Sequence, residues 1–327
     1  MVLLIGTRGS NLATTQSTHV MEGVRAAGFE AELHIVRTPG DDSQAAQTPV
    51  RSIGVGVFTE TLRKALAGGE CDIAVHSFKD LPTAADPRFK TVVPPRVDAR
   101  EVLVSRGNKT LMELPEGAKV GTGAPRRVSQ IRVARPDLEL LPLRGNIDTR
   151  MRRTEEDLDA VVLARAGLER VGLLDKAAES IDPAVVMPAP AQGALSVEVR
   201  ADDAEAWAAV AGLDHLPSHA EATAERAMLS TLEAGCTAPV GASAQWSGGP
   251  DGVQLTLTGG VFALDGTDKL VLSQSWDAAA AHLEGWQEFV AGSAEHAQVL
   301  EYAARLGRAV GLELLDAGAA QLVATAF

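Results

Sequence analysis

Two short runs of this sequence place reactive side chains where they could do chemistry. Cys236 lies in a loop marked by glycine and proline, where a thiol could carry a covalent group or act as a nucleophile. Asp80 stands beside Lys79 at the end of an apolar run, and an acid beside a lysine could move protons. Together with a cluster of arginines in the middle of the chain, these residues predict an enzyme that tethers a polyanionic intermediate and processes it.

The arginine-rich segment, residues 121–153, is basic within an acidic protein. Its eight arginines stand against three acidic residues, a balance of about +5 in a chain whose formal net charge is −13. Because the segment contains arginine and no lysine, it favours two-pronged recognition of carboxylate or phosphate groups. For any single arginine, a solvated helix face with surface ion pairs is the simpler interpretation. The arginines are Arg126, Arg127, Arg132, Arg135, Arg144, Arg150, Arg152 and Arg153.

Composition limits the class of protein. A length of 327 residues predicts two or three domains, and 46% hydrophobic but only 4% aromatic residues predict cores of Ala, Val and Leu. The negative charge argues against nucleic acid and anionic membranes as partners, and no apolar run reaches membrane-spanning length. Two cysteines fit a reducing compartment, and the first residues read as a strand rather than a signal peptide. We therefore expect a cytoplasmic protein, and the lack of paired Cys or His spacing predicts no metal site.

The first hundred residues alternate apolar strands with helices, which is typical of a parallel or mixed α/β sheet. A helix is expected over residues 11–27, with Ser10 as its N-cap and Gly28 as its stop. Residues 40–56 show no period, and a loop of this length is usually functional or disordered. The other elements expected here are Val2–Gly6, Glu32–Val36, Phe58–Ala67, Asp72–His76 and Thr91–Val93.

Alternation restarts after residue 106 and predicts a second α/β lobe. Two extended apolar segments, Glu101–Ser105 and Leu195–Val199, are expected to cross between the lobes. The predicted domains are residues 1–98 with 195–216, residues 99–194, and a third, small α+β domain at 217–327, in which a helix at Glu221–Leu232 leads to the Cys236 loop. The elements expected in the second lobe are Ala118–Gly121, Pro125–Ala134, Leu138–Pro142, Asn146–Thr154, Asp159–Ala164 and a short helix that ends at Arg170.

A short sequence similarity between two parts of the chain predicts that the two lobes are related. The small-residue turns Gly6–Ser10 and Gly121–Arg126 each follow a strand and open a helix. Each would present free backbone N–H groups and an arginine at a helix N-terminus, which is a natural anion site. If the lobes face one another across a cleft, both sites reach one ligand.

Simpler roles stay open for several of these residues. Cys71 precedes a strand and is expected to be a small buried hydrophobic residue. No histidine lies near Cys236 in the sequence, which disfavours a cysteine hydrolase or a thiol acyltransferase, whereas a permanent thioether needs no base. Asp80 could merely cap a turn, Lys79 could simply pair with Asp80, and His76 is expected to be structural.

Seven ordered motifs resemble the porphobilinogen deaminase family, also called hydroxymethylbilane synthase. A single short motif would mean little, but seven in family order, including Lys79, Asp80 and Cys236, make the resemblance specific. The motifs are Gly6–Ala13, Asp72–Pro82, Gly121–Arg127, Leu143–Arg150, Ala166–Arg170, Pro190–Ala194 and the Cys236 loop.

The resemblance implies a fold and a reaction. Family members are α/β proteins with two domains folded like periplasmic binding proteins, a cleft between them, and a small α+β C-terminal domain that carries the cofactor cysteine. That cysteine, here Cys236, holds a dipyrromethane cofactor in thioether linkage. The enzymes add four porphobilinogen units head to tail, release ammonia at each step and hydrolyse off the linear tetrapyrrole hydroxymethylbilane. The partners implied are porphobilinogen and the growing pyrrole chain, and a monomer is expected.

The resemblance also implies residue roles. The implied catalytic residues are Asp80 and Lys79. Asp80 would hold pyrrole N–H groups, stabilise the cation formed when ammonia leaves and assist proton removal, and Lys79 would help to hold carboxylates. Gln192 lies at the second crossing and is expected to line the cleft. The implied cofactor-binding residues are Cys236, Arg126, Arg127, Ser10, Lys79, Asp80, Thr122 and Arg150. The implied substrate-binding residues are Arg8, Ser10, Arg144, Arg150, Arg170 and Gln192.

Four positions depart from the family pattern. Val55 stands where a lysine is common in the glycine-rich lid region, and Ala234 stands where a second glycine is frequent. Gly123 and Ala124 replace hydroxyl residues and remove possible donors. These changes bear on the lid and on individual carboxylate contacts, not on the reaction class. The alternative from a different class is a two-lobed binding protein that captures an acidic small molecule without turnover.

Overall fold

The computed structural model describes residues 1–36, 57–233, 238–249, 252–277 and 289–324. Within these ranges no helix is both long enough and apolar enough to cross a membrane. The strands are β1 (Leu3–Thr7), β2 (Ala31–Ile35), β3 (Ile73–Ser77), β4 (Phe89–Val92), β5 (Glu101–Ser105), β6 (Lys119–Thr122), β7 (Glu139–Pro142), β8 (Ala160–Ala164), β9 (Glu179–Ile181), β10 (Leu195–Arg200), β11 (Val240–Gly249), β12 (Gly252–Phe262) and β13 (Lys269–Asp277). The α-helices are α1 (Asn11–Ala26), α2 (Val57–Ala67), α3 (Pro125–Ala134), α4 (Ile147–Glu156), α5 (Arg165–Arg170), α6 (Ala204–Val210), α7 (Leu216–Thr231), α8 (Ala294–Asp316) and α9 (Ala319–Ala324).

The chain divides into two compact units. The first consists of Met1–Arg96, Ala194–His219 and Gly285–Gln298, and the second of Val97–Gly193, Ala220–Glu284 and Val299–Phe327. The boundaries of the three predicted domains stay a prediction.

A five-stranded sheet forms the core of the first unit, in the order β2-β1-β3-β10-β4. Strand β1 is parallel to β2 and β3, whereas β10 is antiparallel to β3 and β4. The first four residues of β3 are buried, as expected for an apolar strand that is covered on both faces. The predicted strand–helix alternation is confirmed, with strand ends shifted by one or two residues.

Local signals in the sequence set both ends of α1. The Ser10 hydroxyl accepts a hydrogen bond from the Ala13 amide at 3.4 Å, which satisfies one of the free amides at the start of the helix. After the helix, Gly28 adopts a φ of 91°, which glycine reaches without a steric cost. The predicted cap and stop are confirmed.

The second unit contains a five-stranded sheet of the same plan, in the order β7-β6-β8-β5-β9. Strand β6 is parallel to β7 and β8, and β5 is antiparallel to β8 and β9. In both sheets three parallel strands are followed by an antiparallel strand that comes from a predicted crossing segment, β10 or β5. The α/β class and the relation between the lobes are therefore confirmed, and the cleft stays a prediction.

The C-terminal part of the chain is α+β, as predicted. Strands β11, β12 and β13 form an antiparallel sheet in that order. Helix α7 begins at Leu216 rather than Glu221, so the predicted start was wrong. The reason is local, because the His215 Nδ1 accepts a hydrogen bond from the Ser218 amide at 3.3 Å and Pro217 suits a first helical turn.

A buried ion pair joins α2 to the sheet of the first unit. Arg63 donates from Nε to Glu198 Oε2 at 2.9 Å and from Nη2 to Oε1 at 2.6 Å. His76 is buried as well, with its Nε2 at 3.4 Å from Glu198 Oε2, which agrees with a structural role. Burial alone would raise the pKa of Glu198, but the hydrogen bonds from Arg63 and the nearby His76 ring outweigh it and lower the pKa from 4.5 to about 2.

Glu198→Gln should destabilise the protein and change its pH dependence. Breaking the pair leaves Arg63 buried without its anion, so the free energy of unfolding should fall by about 3 kcal/mol at neutral pH. Because the folded pKa of Glu198 is depressed, its stabilisation is present above pH 4.5 and is lost as the pH falls towards about 2. Urea unfolding at several pH values should show a shallower acid loss in the variant.

A suitable control is Glu60→Gln, which removes the exposed Glu60–Lys64 pair and should change stability by less than about 1 kcal/mol. An equally steep acid loss in wild type and Glu198→Gln would contradict the role given to this carboxylate.

Candidate functional site

In the first unit, four predicted site residues follow two neighbouring strands. Arg8 and Ser10 come directly after β1, and Lys79 and Asp80 come directly after β3. Because β1 and β3 are parallel neighbours, their carboxyl ends lie at the same edge of the sheet. The structure therefore brings these four residues to one edge, where Asp80 is exposed and the other three are half-buried.

Lys79 and Asp80 belong to a short 3-10 turn, Phe78–Asp80, that the backbone holds in place. The Phe78 amide donates to the Ala194 carbonyl at 3.1 Å, and the Leu81 amide donates to the Phe78 carbonyl at 3.3 Å. The turn is thus closed by backbone groups and anchored at the start of β10. The Asp80 carboxylate is at the surface of this turn, where a ligand can reach it.

In the second unit, six predicted site residues follow three parallel strands. Thr122 ends β6, and α3 begins three residues later. The other two connections run from β7 to α4 and from β8 into α5. Since β7, β6 and β8 are parallel neighbours, all three connections start at one edge of this sheet. They supply Thr122, Arg126, Arg127, Arg144, Arg150 and Arg170.

Arg126 and Arg127 share one buried carboxylate, that of Glu101. Arg126 Nη2 donates to Glu101 Oε1 at 2.5 Å, and Arg127 Nη2 donates to Glu101 Oε2 at 2.9 Å. The exposed fractions are 4% for Arg126, 5% for Arg127 and 0% for Glu101. Burial lowers the pKa of Arg126, although the Glu101 charge acts in the opposite direction. One carboxylate between two guanidinium groups leaves the trio with a positive charge.

Arg170 and Gln192 both donate hydrogen bonds to backbone carbonyls near the ends of the segment Val97–Gly193 of the second unit. Arg170 Nη2 donates to the Gly193 carbonyl at 2.6 Å, and burial lowers the pKa of Arg170 to about 10, so it stays protonated at neutral pH. The Gln192 side chain is fully buried and donates from Nε2 to the Ala99 carbonyl at 2.7 Å. The Gln192 side chain therefore binds the backbone and does not face solvent. Its substrate-binding role stays a prediction.

The connection between β7 and α4 carries Arg144 and Arg150. Arg144 is exposed, and Arg150 donates from Nε to the Gly145 carbonyl at 2.7 Å. Asn146 caps α4, because its side-chain oxygen accepts the Thr149 amide at 2.9 Å. The cap fixes the first turn of α4 and therefore the position of Arg150.

Close packing of the backbone explains why position 123 is a glycine rather than a residue with a hydroxyl. A Cβ added at this position would lie 2.5 Å from the Leu143 carbonyl oxygen, which belongs to the backbone of the neighbouring connection. Only glycine lets the β6–α3 turn approach the β7–α4 connection this closely. The departure from the family pattern at Gly123 thus sets the spacing between two connections that carry site residues.

The donors at this edge fit a ligand that bears several carboxylates. Thr122 Oγ1 and Arg127 Nε are buried and have no hydrogen-bond partner among the described residues. Buried polar groups are normally paired, so these two are available for an oxygen ligand. Together with the positive charge of the arginine pair, they fit the acetate and propionate groups of a dipyrromethane.

Cys236 and Val55 lie outside the described residues, as do Ala234 and Gly235. The part of the chain that holds Cys236 connects α7 to β11. Cys71, by contrast, is fully buried, and burial raises the pKa of its thiol to about 12, which confirms the expected inert, structural thiol.

Sequence reasoning missed two charged groups that the fold assembles. Glu101 is a charged residue that opens an otherwise apolar strand, a signal that could have marked it. Asp214 accepts hydrogen bonds from two histidines, at 2.8 Å from His219 Nδ1 and at 2.8 Å from His296 Nε2. These three could hold a metal ion, but they satisfy one another by hydrogen bonds, and the prediction of no metal site stays a prediction.

Comparison with known proteins gives a consistent set of relatives. A family model described as porphobilinogen deaminase, dipyromethane cofactor binding domain, matches residues 3–208, and its C-terminal domain model matches residues 219–283. The chain is 54% identical over 324 residues to a porphobilinogen deaminase of Corynebacterium glutamicum (strain R), covering 99% of both chains. It is 49% identical over 329 residues to that of Mycobacteroides abscessus, covering 98% of this chain and 99% of the relative.

Among solved structures, the methionine binding protein MetQ aligns over 69% of this chain and 93% of its own length, with 14% identity and a TM-score of 0.40. A periplasmic binding protein of Salmonella typhimurium aligns over 65% and 91%, with 15% identity and a TM-score of 0.38. These superpositions are too loose to carry an argument.

Gly123→Ser should destabilise the second unit even though it restores a hydroxyl. The new Cβ would press on the Leu143 carbonyl, and overpacking of this kind costs about 1–3 kcal/mol of unfolding free energy. Ala124→Ser is the matched control, because that position already has a Cβ, and it should change stability little. Equal urea midpoints for the two variants would contradict the close approach.

Proposed function

This chain belongs to the porphobilinogen deaminase family, and we propose that it joins porphobilinogen units, with loss of ammonia, onto a dipyrromethane held by Cys236. It is an enzyme of tetrapyrrole synthesis whose first part is a dipyrromethane-binding domain. The names of the relatives support this activity and not the alternative of a binding protein without turnover. The finer reaction proposed is a transfer that forms carbon–carbon bonds, repeated four times and ended by hydrolytic release of hydroxymethylbilane.

The observation that carries the proposal is the arginine pair with its spare donors. A growing pyrrole chain bears two carboxylates on each ring, so it needs cations whose hydrogen-bond donors are not all used by the protein. Among the described residues Arg127 Nε meets that requirement, and the neutral Thr122 hydroxyl is a second donor without a partner. The Arg126–Arg127–Glu101 trio keeps a positive charge.

Asp80 is proposed as the residue that handles protons and charge. When bound, the dipyrromethane supplies the nucleophilic pyrrole carbon for the first addition. Loss of ammonia from the aminomethyl group of porphobilinogen leaves a cationic pyrrole, and an exposed carboxylate at the end of β3 can accept its N–H and balance its charge. After the carbon–carbon bond forms, the proton on the attacked carbon must leave, and Asp80 can assist that transfer.

The remaining side chains are proposed to hold the carboxylates of the cofactor and of the substrate. Lys79 can neutralise a carboxylate next to Asp80, while Arg8 and Ser10 stand at the N-terminus of α1, where helix amides favour anions. In the second unit the proposed clamps are Arg144, Arg150 and Arg170, with Gln192. Arg170 is already fixed to a backbone carbonyl, so its orientation costs little on binding. A monomeric state and a cytoplasmic location stay predictions.

Asp80→Asn should remove most of the turnover without unfolding the protein. Asparagine has nearly the same shape but can neither balance the cation nor accept the proton, so the rate of ammonia release should fall about 100-fold or more. Asp86→Asn is the control, because it removes a half-buried carboxylate six positions further along the chain that pairs with Arg88, and it should keep the wild-type rate.

The assay follows ammonia and the linear tetrapyrrole formed from porphobilinogen by the purified protein. Near-normal ammonia release by Asp80→Asn would take Asp80 out of the mechanism. If wild type releases no ammonia at all, the proposed reaction itself is wrong.

A further inference from the structure

Glu101 differs from Glu198, the buried carboxylate that pairs with Arg63. Glu198 binds one arginine with both of its oxygens, which is the ordinary geometry of a buried pair. Glu101 instead gives one oxygen to Arg126 and the other to Arg127, and these arginines are neighbours in the first turn of α3. The carboxylate thus holds two guanidinium groups side by side.

Each guanidinium is fixed at a second point by a backbone carbonyl. Arg126 Nη1 donates to the Met187 carbonyl at 2.5 Å, and Arg127 Nη1 donates to the Val162 carbonyl at 2.9 Å. A guanidinium group that is held at both Nη atoms cannot turn about its own axis. Its orientation is therefore decided by the protein before any ligand arrives, which is what preorganised recognition requires.

The position of Glu101 is itself set by the sheet. It is the first residue of β5 and pairs with Ala164 of β8 and Ile181 of β9, so strands flank it on both sides. A backbone that is paired on both sides moves little. The carboxylate is therefore a rigid reference point for α3.

The charge balance explains why one carboxylate serves two arginines. Two buried guanidinium groups repel each other, and without an anion between them they would separate or draw in water. A second carboxylate would cancel their charge and leave nothing to attract an anionic ligand. With Glu101 alone the pair stays together and keeps a positive charge, and the buried Arg127 Nε still has no acceptor among the residues described.

We propose that Glu101 is a positioning residue, which holds Arg126 and Arg127 at the spacing at which they bind carboxylates of the dipyrromethane. Glu101 does not touch the ligand in this account. It acts through the two arginines, and the inference rests on the cofactor-binding role proposed for them.

Three variants separate positioning from simple stabilisation. Glu101→Gln keeps the size of the side chain but loses its charge and places an amide N–H₂ against a guanidinium group. Glu101→Asp keeps the charge on a side chain that is one methylene shorter, and it should partly restore cofactor loading. Glu198→Gln is the matched control, because it breaks a buried arginine–carboxylate pair of the first unit that has no proposed part in binding.

The readout is the fraction of protein that carries the dipyrromethane mass, measured on intact protein and compared with the thermal midpoint of the same sample. We expect a cofactor-bearing fraction about tenfold lower in Glu101→Gln, the factor that corresponds to one lost charge-assisted hydrogen bond. Glu101→Asp should recover much of that fraction. Glu198→Gln should lose thermal stability and yet remain loaded with the cofactor.

Two results would overturn the inference. Full cofactor loading in Glu101→Gln would show that the arginine pair needs no shared carboxylate. Equal losses of cofactor in Glu101→Gln and Glu198→Gln, at equal losses of thermal stability, would reduce Glu101 to a structural residue. If Glu101→Gln does not fold, Glu101→Asp decides, because wild-type loading together with wild-type KM for porphobilinogen would contradict positioning.

Failure of the proposed function looks different. In that case wild type itself carries no dipyrromethane mass, whatever the variants do. Loaded wild type with loaded Glu101→Gln leaves the function standing and removes only the role of Glu101.

Discussion

The second unit of this protein depends on one constraint, that two buried arginines adjacent in the chain, Arg126 and Arg127, must be held side by side. Neighbouring guanidinium groups repel, and in a buried position water cannot screen them. Glu101 meets the constraint with a single carboxylate that lies between Arg126 and Arg127. The position of the two arginines therefore depends both on the sheet that fixes Glu101 and on helix α3. The close approach at Gly123 also places the β7–α4 connection beside the start of α3.

The two units use the same plan to place different chemistry. In each, three parallel strands end at one edge of a sheet, and the connections that leave this edge carry the polar residues. The first unit contributes an exposed carboxylate on a turn anchored by backbone hydrogen bonds, which suits a group that must exchange protons. The second unit contributes buried, preoriented arginines, which suit carboxylates that must stay in place. The proposed division between a carboxylate that handles protons and arginines that bind carboxylates follows the burial of these side chains.

Much of this could be predicted from the sequence because the signals are local. The Ser10 cap, the Gly28 stop and the start of α3 at Pro125 depend on residues within one helical turn. What could not be predicted depends on residues that are far apart in the chain. Glu101 meets Arg126 across 25 positions, and Asp214 meets His296 across 82. No periodicity reports such a pairing, because it forms only when distant parts of the chain pack together.

The site residues illustrate the same limit. The ordered motifs identified the arginines but gave no means of distinguishing one from another. The structure distinguishes Arg126 and Arg127, which are buried and paired, from Arg144, which is exposed. An arginine is preoriented when it is buried and hydrogen-bonded by the protein, and an exposed arginine must be ordered by the ligand. Neither burial nor hydrogen-bond partners can be read from a motif.

The central claim is that Cys236 anchors the group on which the pyrrole chain grows, and intact mass spectrometry tests it most directly. Wild type, Cys236→Ala and Cys71→Ala would be measured as purified and after addition of porphobilinogen. The account predicts an adduct of two deaminated porphobilinogen units on wild type and on Cys71→Ala, with further units after substrate is added, and the bare chain mass for Cys236→Ala. A wild type that keeps the bare chain mass after incubation with porphobilinogen, or an adduct that survives in Cys236→Ala, would contradict it.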